Sequence, residues 1–501
     1  MRRSVVAWSA AVAVLGFASP SWAREKVAVG SKAFPESWVL AEAVTVLAAS
    51  TGADVEHRQN LGGTEIVAQA LRAGSIDVYP EYTGTLREVL LHEPGATTAQ
   101  VRAALARDGL GMTASLGFED SYALAVPPLV ADRDALRAIS DLAAHPELRG
   151  AFSHEFLGRA DGWPGLRDRY GLGLAEVRGV DHPLAFEALR TGAADVVDAY
   201  TTDPDIDRLG LRLLVDDRGF FPRYEAVLVY RLDLRDRAPF ALAAMERMEG
   251  RVDRATVARA NAALTEGRTP RQAAIALLDA SLGESPLRSA PAAPSALASM
   301  LAALLRHLAL VLSSLAACVV AGVPLGIVAS RRPRLATIVL GATGILQTIP
   351  SLALLALLIP VVGIGVFPAA VALFLYGLLP IVQGTCTGIT GIPAALAESA
   401  EALGLTPRAK LLRVELPLAS PSILGGIRTS AVIGVGTATI AALVGAGGLG
   451  DAILQGITLR SPGLILQGAV PAALLALAMQ WAFGVAERAL IPRGMTARTH
   501  D

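Results

Sequence analysis

Two textures divide the chain. From Arg24 to about Glu284, short runs such as Val27-Ala28-Val29 and Val196-Val197 alternate with stretches whose apolar residues recur at helical spacing, such as Thr64 to Ala73 and Pro183 to Thr191. This alternation predicts an α/β domain over residues 24–284. Between Gly283 and Pro294 three prolines, Pro286, Pro291 and Pro294, stand among serines and alanines, and residues 285–300 read as a linker. Beyond it hydrophobic runs dominate, so residues 301–490 are expected to form an all-α membrane domain, with a short tail at 491–501.

Charge sets the expected number of membrane crossings. A first span over Leu308 to Ala329 is followed by Arg331, Arg332 and Arg334, which the positive-inside rule places in the cytoplasm. Taking Leu335 to Val362 as one span makes Pro368 to Gly388 the third, and the polar stretch Glu398 to Glu415 then falls inside. Spans over Ser422 to Val444 and Leu464 to Val485 return the basic tail to the cytoplasm. Five helices are therefore expected; splitting Leu335–Val362 into two would invert every basic segment after it.

Composition agrees with this division, since 53% of residues are hydrophobic and only 5% aromatic, as in membrane helices rich in Ala, Leu, Val and Gly. A formal net charge of −1 gives no basic field, so nucleic-acid binding is set aside. Arg2 and Arg3 precede an apolar run from Val5 to Ala18, and Ser21 and Ala23 precede charged residues, which reads as a signal peptide over 1–23. An uncleaved anchor would leave the following domain on the same side. Both cysteines, Cys318 and Cys386, lie in the membrane half, so the exported half is held by packing alone. No metal-ligand spacing or catalytic constellation appears, and the histidines are scattered.

Glu398-Ser399-Ala400-Glu401-Ala402-Leu403-Gly404 reads as a helix stopped by Gly404, followed by a turn at Thr406-Pro407 and a second amphipathic piece that Pro417 ends. On physical grounds it is either an ordinary interhelical loop or a segment that fits a groove in another protein. The run resembles the signature loop of permease subunits of ABC importers, with Ser399 in place of the usual alanine. Gln347-Thr348-Ile349-Pro350-Ser351-Leu352 and Leu443-Val444-Gly445-Ala446-Gly447-Gly448 resemble the branch that imports osmoprotectants such as glycine betaine and choline. The resemblance implies that Glu398, Ser399, Ala400, Gly404 and Pro417 form the loop that docks a separate cytoplasmic ATPase. No phosphate-binding loop occurs in the sequence, so ATP is expected on that partner and no cofactor in this chain. Gln347 and Gln383 are polar groups within apolar spans and are expected to face a partner helix or the pathway.

In the exported half, Ile76 to Thr85 is a strand-like run broken at Pro80 that presents Tyr82 and Thr85 on a turn. With Gly30-Ser31-Lys32-Ala33-Phe34 and Leu61-Gly62-Gly63-Thr64, it is similar to the binding proteins of the same osmoprotectant branch. That resemblance implies a two-lobed α/β periplasmic-binding-protein fold, with a second lobe over about 128–224. It also implies a ligand site of Lys32, Tyr82, Thr85, Tyr122, Arg159, Tyr200 and Tyr224. A quaternary ammonium has no N–H to donate, whereas each aromatic face attracts it by about 0.5–2 kcal/mol. The resemblance also implies that Lys32, Thr85 and Arg159 hold a ligand carboxylate; if the ligand brought no anion, two desolvated cations would face its positive charge, which predicts a preference for betaines over choline.

The fold class expected is therefore a two-lobed binding domain fused to a five-helix ABC importer permease. The resemblance implies a multi-pass protein of the bacterial inner membrane with its N-terminal domain extracytoplasmic, a homodimer through the permease domain, and contact with membrane lipid. A membrane-anchored chemosensor for the same ligand is the alternative; it calls for a signalling module that the basic tail does not provide.

Overall fold

The computed structural model describes residues 25–283 and 295–490. The expected signal peptide, residues 285–294 of the expected linker and the expected tail lie outside the described residues. Among the described residues, ten strands form two five-stranded sheets. The first holds β1 (Lys26–Gly30), β2 (Asp54–Arg58), β3 (Val78–Tyr82), β4 (Leu110–Met112) and β10 (Ala226–Arg231), in the order β2-β1-β3-β10-β4. The second holds β5 (Tyr122–Val126), β6 (Arg149–Ser153), β7 (Glu176–Val180), β8 (Val196–Tyr200) and β9 (Arg212–Leu214), in the order β7-β6-β8-β5-β9.

The chain therefore crosses between lobes twice, once before β5 and once before β10. The two crossings run side by side, bridged at Glu119 and Glu225. Because β5 already belongs to the second sheet, that lobe starts ahead of Pro128, and Tyr122 stands with the second lobe rather than opposite it. Beneath the first sheet lies the helix Pro35–Ser50, whose proline at the first turn gives up no hydrogen bond. Trp38, Leu40, Val44 and Leu47 are buried there, because the helices Arg254–Thr265 and Pro270–Leu282 cover its other side.

Among the described residues the membrane half has four helices long and apolar enough to cross a bilayer: Leu297–Arg331, Val366–Thr390, Pro407–Val444 and Pro462–Ala489. The stretch expected to be one span, Leu335–Val362, consists of two helices, Pro333–Thr348 and Ser351–Val362, bent by 93°. Pro350 causes the break: it has no N–H, and it forces Ile349 out of the helical region to ψ 127°. Five crossings are reached if this bent pair counts as one.

Pro417 also behaves differently from expectation. It lies inside the first turn of the helix Leu416–Ile440, after a π-helical turn over Leu411–Glu415. The wider turn absorbs the missing N–H, so Pro417 continues the rod where a break was expected. Glu415 is buried there and accepts from Arg331 Nη1 at 3.0 Å and Nη2 at 2.5 Å, pinning this segment to the end of the first span.

The two halves touch directly. Leu61 of the first lobe sits on Gly445, where a Cβ would lie 2.4 Å from Leu61 Cδ2, and Ile66 packs into the apolar cluster of the permease. Gly445 has φ 73°, so both its backbone and its neighbour exclude a side chain. In the second lobe Asp205 accepts from Arg208 Nε at 2.7 Å and also pairs with Arg460 of the permease half.

Beside this contact Asp451 is pushed up to about 7 by burial, against the pull of Arg306 and a backbone hydrogen bond from Gly448. A raised carboxyl stabilises the folded protein fully below its unfolded value near 3.8, and that contribution is lost as pH rises through about 7. Asp451→Asn removes the ionisable group. Thermal unfolding of the full chain in lipid nanodiscs should then fall less from about pH 4 to pH 8 than in the unaltered protein. Parallel curves would show that Asp451 is not the group responsible.

Candidate functional site

Strand ends bring the aromatic residues together. Tyr82 ends β3, while Tyr122 begins β5 and is register partner to Tyr200 at the end of β8. Lys32 follows β1, Thr85 lies in the turn after β3, Arg159 follows the helix His154–Gly158, and Tyr224 lies on the crossing into β10. Tyr224 packs over Gly84 so closely that a Cβ there would be 2.4 Å from its ring, which ties the first lobe to the crossing.

All seven expected residues line one narrow cavity of about 30 Å³ between the lobes. Ring centroids are 5.2 Å apart for Tyr122–Tyr200, 5.8 Å for Tyr122–Tyr224 and 5.9 Å for Phe34–Tyr200. Phe34 also approaches Tyr82 at 6.5 Å, and so joins the two lobes' rings. Phe34, Asp120 and Glu155 were not assigned from sequence. They lie two, two and four positions from Lys32, Tyr122 and Arg159. Burial pushes the phenols of Tyr82, Tyr122 and Tyr200 well above their ordinary range, so the rings stay neutral.

Neither cation is unpaired, which removes the premise of the expected preference for betaines. Lys32 Nζ donates to Glu81 Oε1 at 2.6 Å, and Glu81 is fully buried. Arg159 holds Asp161 through Nε at 2.8 Å and Nη2 at 2.5 Å, and reaches Glu155 through Nη1 at 3.1 Å. Burial opposes the charge on Arg159, yet the hydrogen bond to Asp161 and the surrounding charges hold its pKa above the usual guanidinium range. Each cation also lies over a ring of the cage: Lys32 is 5.7 Å from the Tyr82 centroid and Arg159 5.5 Å from that of Tyr122.

Behind the cage, Glu36 joins three segments. Its Oε1 accepts from the Tyr82 hydroxyl at 2.5 Å; its Oε2 accepts from Thr202 Oγ1 at 2.5 Å and Asn261 Nδ2 at 3.1 Å. Burial raises its pKa against these three hydrogen bonds. Asp120 is pushed well up, first by burial and then by the charges of Glu36 and Asp203. A second cavity adjoins the cage and shares Lys32, Phe34, Glu155 and Tyr200 with it; its far wall is Leu443, Leu454 and Ile457 of the membrane half.

On the other side of the membrane half, Glu398, Ser399 and Ala400 lie in the helix Ala394–Ala402, with Gly404 just beyond it at φ 75°, a left-handed stop. Ala400 is buried, whereas Leu403 is 81% exposed. Gln347 and Gln383 line one groove with Thr387 and Thr429.

Residues 25–280 match the family described as the substrate binding domain of ABC-type glycine betaine transport systems. Residues 322–493 match the binding-protein-dependent transport system inner membrane component. The choline transport system permease protein OpuBB of Bacillus subtilis is 46% identical over 189 residues, which are 38% of this chain and 87% of that protein. The carnitine transport permease protein OpuCB of Listeria monocytogenes is 43% identical over 190 residues, again 38% of this chain and 87% of that protein. A solved glycine betaine/carnitine/choline ABC transporter structure is 27% identical, with a TM-score of 0.44, and covers 50% of this chain and 97% of its own.

Proposed function

This chain belongs to the substrate-binding family of ABC-type glycine betaine transport systems, joined in one polypeptide to a binding-protein-dependent inner membrane component, and from that premise we propose how it works. It is an importer subunit for quaternary ammonium compounds of the betaine and choline class. Its receptor captures the solute outside the membrane, and its permease half forms the pathway. The observation that carries this reading is the cage of Phe34, Tyr82, Tyr122, Tyr200 and Tyr224 between two lobes, set against the permease through Leu61 and Asp205.

Two copies of the chain form one pathway in the bacterial inner membrane, surrounded by lipid, with both receptors extracytoplasmic. The polar groove at Gln347 and Gln383 faces the second copy. A separate cytoplasmic ATPase binds the segment from Glu398 to Pro417 and supplies the ATP-driven step. Ligand is held by Lys32, Tyr82, Thr85, Tyr122, Arg159, Tyr200 and Tyr224, with the trimethylammonium head against the rings.

The test is reconstitution of the full chain with an ABC ATPase in liposomes, following labelled choline and glycine betaine. ATP-dependent accumulation of either is expected. Binding without any accumulation would favour a membrane-anchored receptor instead. Leu403→Asp places a charge on the exposed apolar tip of the coupling segment. Uptake should drop at least about tenfold while ligand binding is unchanged, because an interface anchor typically contributes about 1–2 kcal/mol. Unaltered uptake would remove Leu403 from the ATPase contact.

A further inference from the structure

We propose that Glu81, Asp161 and Glu155 set the specificity of the cage: by cancelling Lys32 and Arg159 they make it prefer a quaternary ammonium ligand of net positive charge with a neutral polar end, such as choline, over a zwitterionic betaine. This rests on the cage being the ligand site. Three carboxylates stand against two cations, leaving one net negative charge around the rings. A cationic ligand brings that sum to zero, whereas a zwitterion leaves it unchanged and adds a carboxylate to a space that already holds three.

Donor use points the same way. All three nitrogens of Arg159 already donate to carboxylates, and the short bond from Lys32 goes to a carboxylate that is wholly buried. Three of the five Arg159 N–H groups and one of the three on Lys32 are thus spent on carboxylates, so an incoming carboxylate would have to share each cation with Asp161 or Glu81. Leaving one of these buried and unpaired is the outcome that a low-dielectric interior penalises most. Asp161 is held further by the Tyr224 hydroxyl at 2.6 Å, and Glu81 by the backbone N–H of Tyr82 at 2.9 Å. Both carboxylates are thus fixed in place by the aromatic residues they accompany. A ligand hydroxyl needs no counter-charge, and the buried Thr85 on the cavity wall offers it a neutral partner. The His182 ring beside Tyr200 is matched by Asp198 and Asp203, while Asp120 lines the cage and Glu36 stands behind it, both carboxyls raised in pKa. Any charge these two carry makes the balance more negative.

The experiment is calorimetric titration of the full chain in nanodiscs with choline chloride and with glycine betaine. Choline is expected to bind at least about tenfold more tightly, the factor that about 1.4 kcal/mol represents. Equal affinity, or tighter binding of glycine betaine, would overturn the proposal. Binding of neither would overturn the cage reading and the proposal with it.

Glu155 is partly exposed, so Glu155→Gln tests the charge balance without opening the core. It should weaken choline about three- to tenfold and leave glycine betaine unchanged or tighter. Glu81→Gln frees Lys32 and should raise glycine betaine relative to choline by a similar factor. If Glu81→Gln does not fold, the ratio in the unaltered protein and the Glu155→Gln titration still decide the matter. An unchanged choline-to-betaine ratio in Glu155→Gln counts against the proposal.

Discussion

Tyr200→Ala should weaken ligand binding about 30- to 150-fold. The ring sits at the end of β8 between Phe34 at 5.9 Å and Tyr122 at 5.2 Å, with the His182 ring at 4.5 Å. Removing it takes away one face worth about 0.5–2 kcal/mol. It also removes the support that keeps the two neighbouring rings at the cavity, so a total near 2–3 kcal/mol is expected. Tyr200→Phe keeps the face and should stay within about threefold of the unaltered protein, since π-electron density, not the hydroxyl, meets the methylated nitrogen. Calorimetry on both variants, with thermal melting to confirm folding, checks this. Full affinity in Tyr200→Ala would mean that the ligand sits elsewhere.

The second large effect is expected where the lobes meet the membrane half. Arg460→Glu replaces the ion pair with two facing carboxylates, one of them on the buried Asp205. Charge reversal at an exposed pair would matter little; here Asp205 is buried, and although it keeps Arg208 as a partner, a part of the about 3–5 kcal/mol cost of breaking a buried ion pair is expected. The contact should therefore open, lowering uptake in proteoliposomes more than about tenfold while ligand binding in the receptor is retained. The swap Asp205→Arg with Arg460→Asp should recover part of the transport. Equal uptake in the single variant would show that this contact takes no part in transfer.

Much of the architecture was readable because its signals are local. Alternating β-branched runs marked the α/β half, and hydropathy marked the membrane half. The tyrosines were reached through short motifs whose residues are adjacent in sequence. What could not be read depends on distant partners. Lys32 and Glu81 are separated by 49 positions, so no spacing argument shows that the lysine is neutralised. Asp161 is only two residues from Arg159, yet a nearby carboxylate identifies an ion pair only once the bidentate geometry is seen. Phe34 enters the cage because β1 and β8 belong to different sheets that face each other there. Two prolines behave differently: Pro350 breaks its span into two helices, whereas Pro417, expected to end its segment, continues a helix because a π-turn precedes it. Local propensity cannot distinguish these cases, since backbone accommodation depends on the neighbouring turn.

Phe34 and Tyr200 have one further consequence. They are a shared partition, lining the cage on one side and the chamber roofed by Leu443, Leu454 and Ile457 on the other. A solute that leaves by displacing them enters a vestibule whose opposite wall is the transmembrane half. On the function proposed above, cargo released that way would pass toward the transmembrane half without first returning to the surrounding medium.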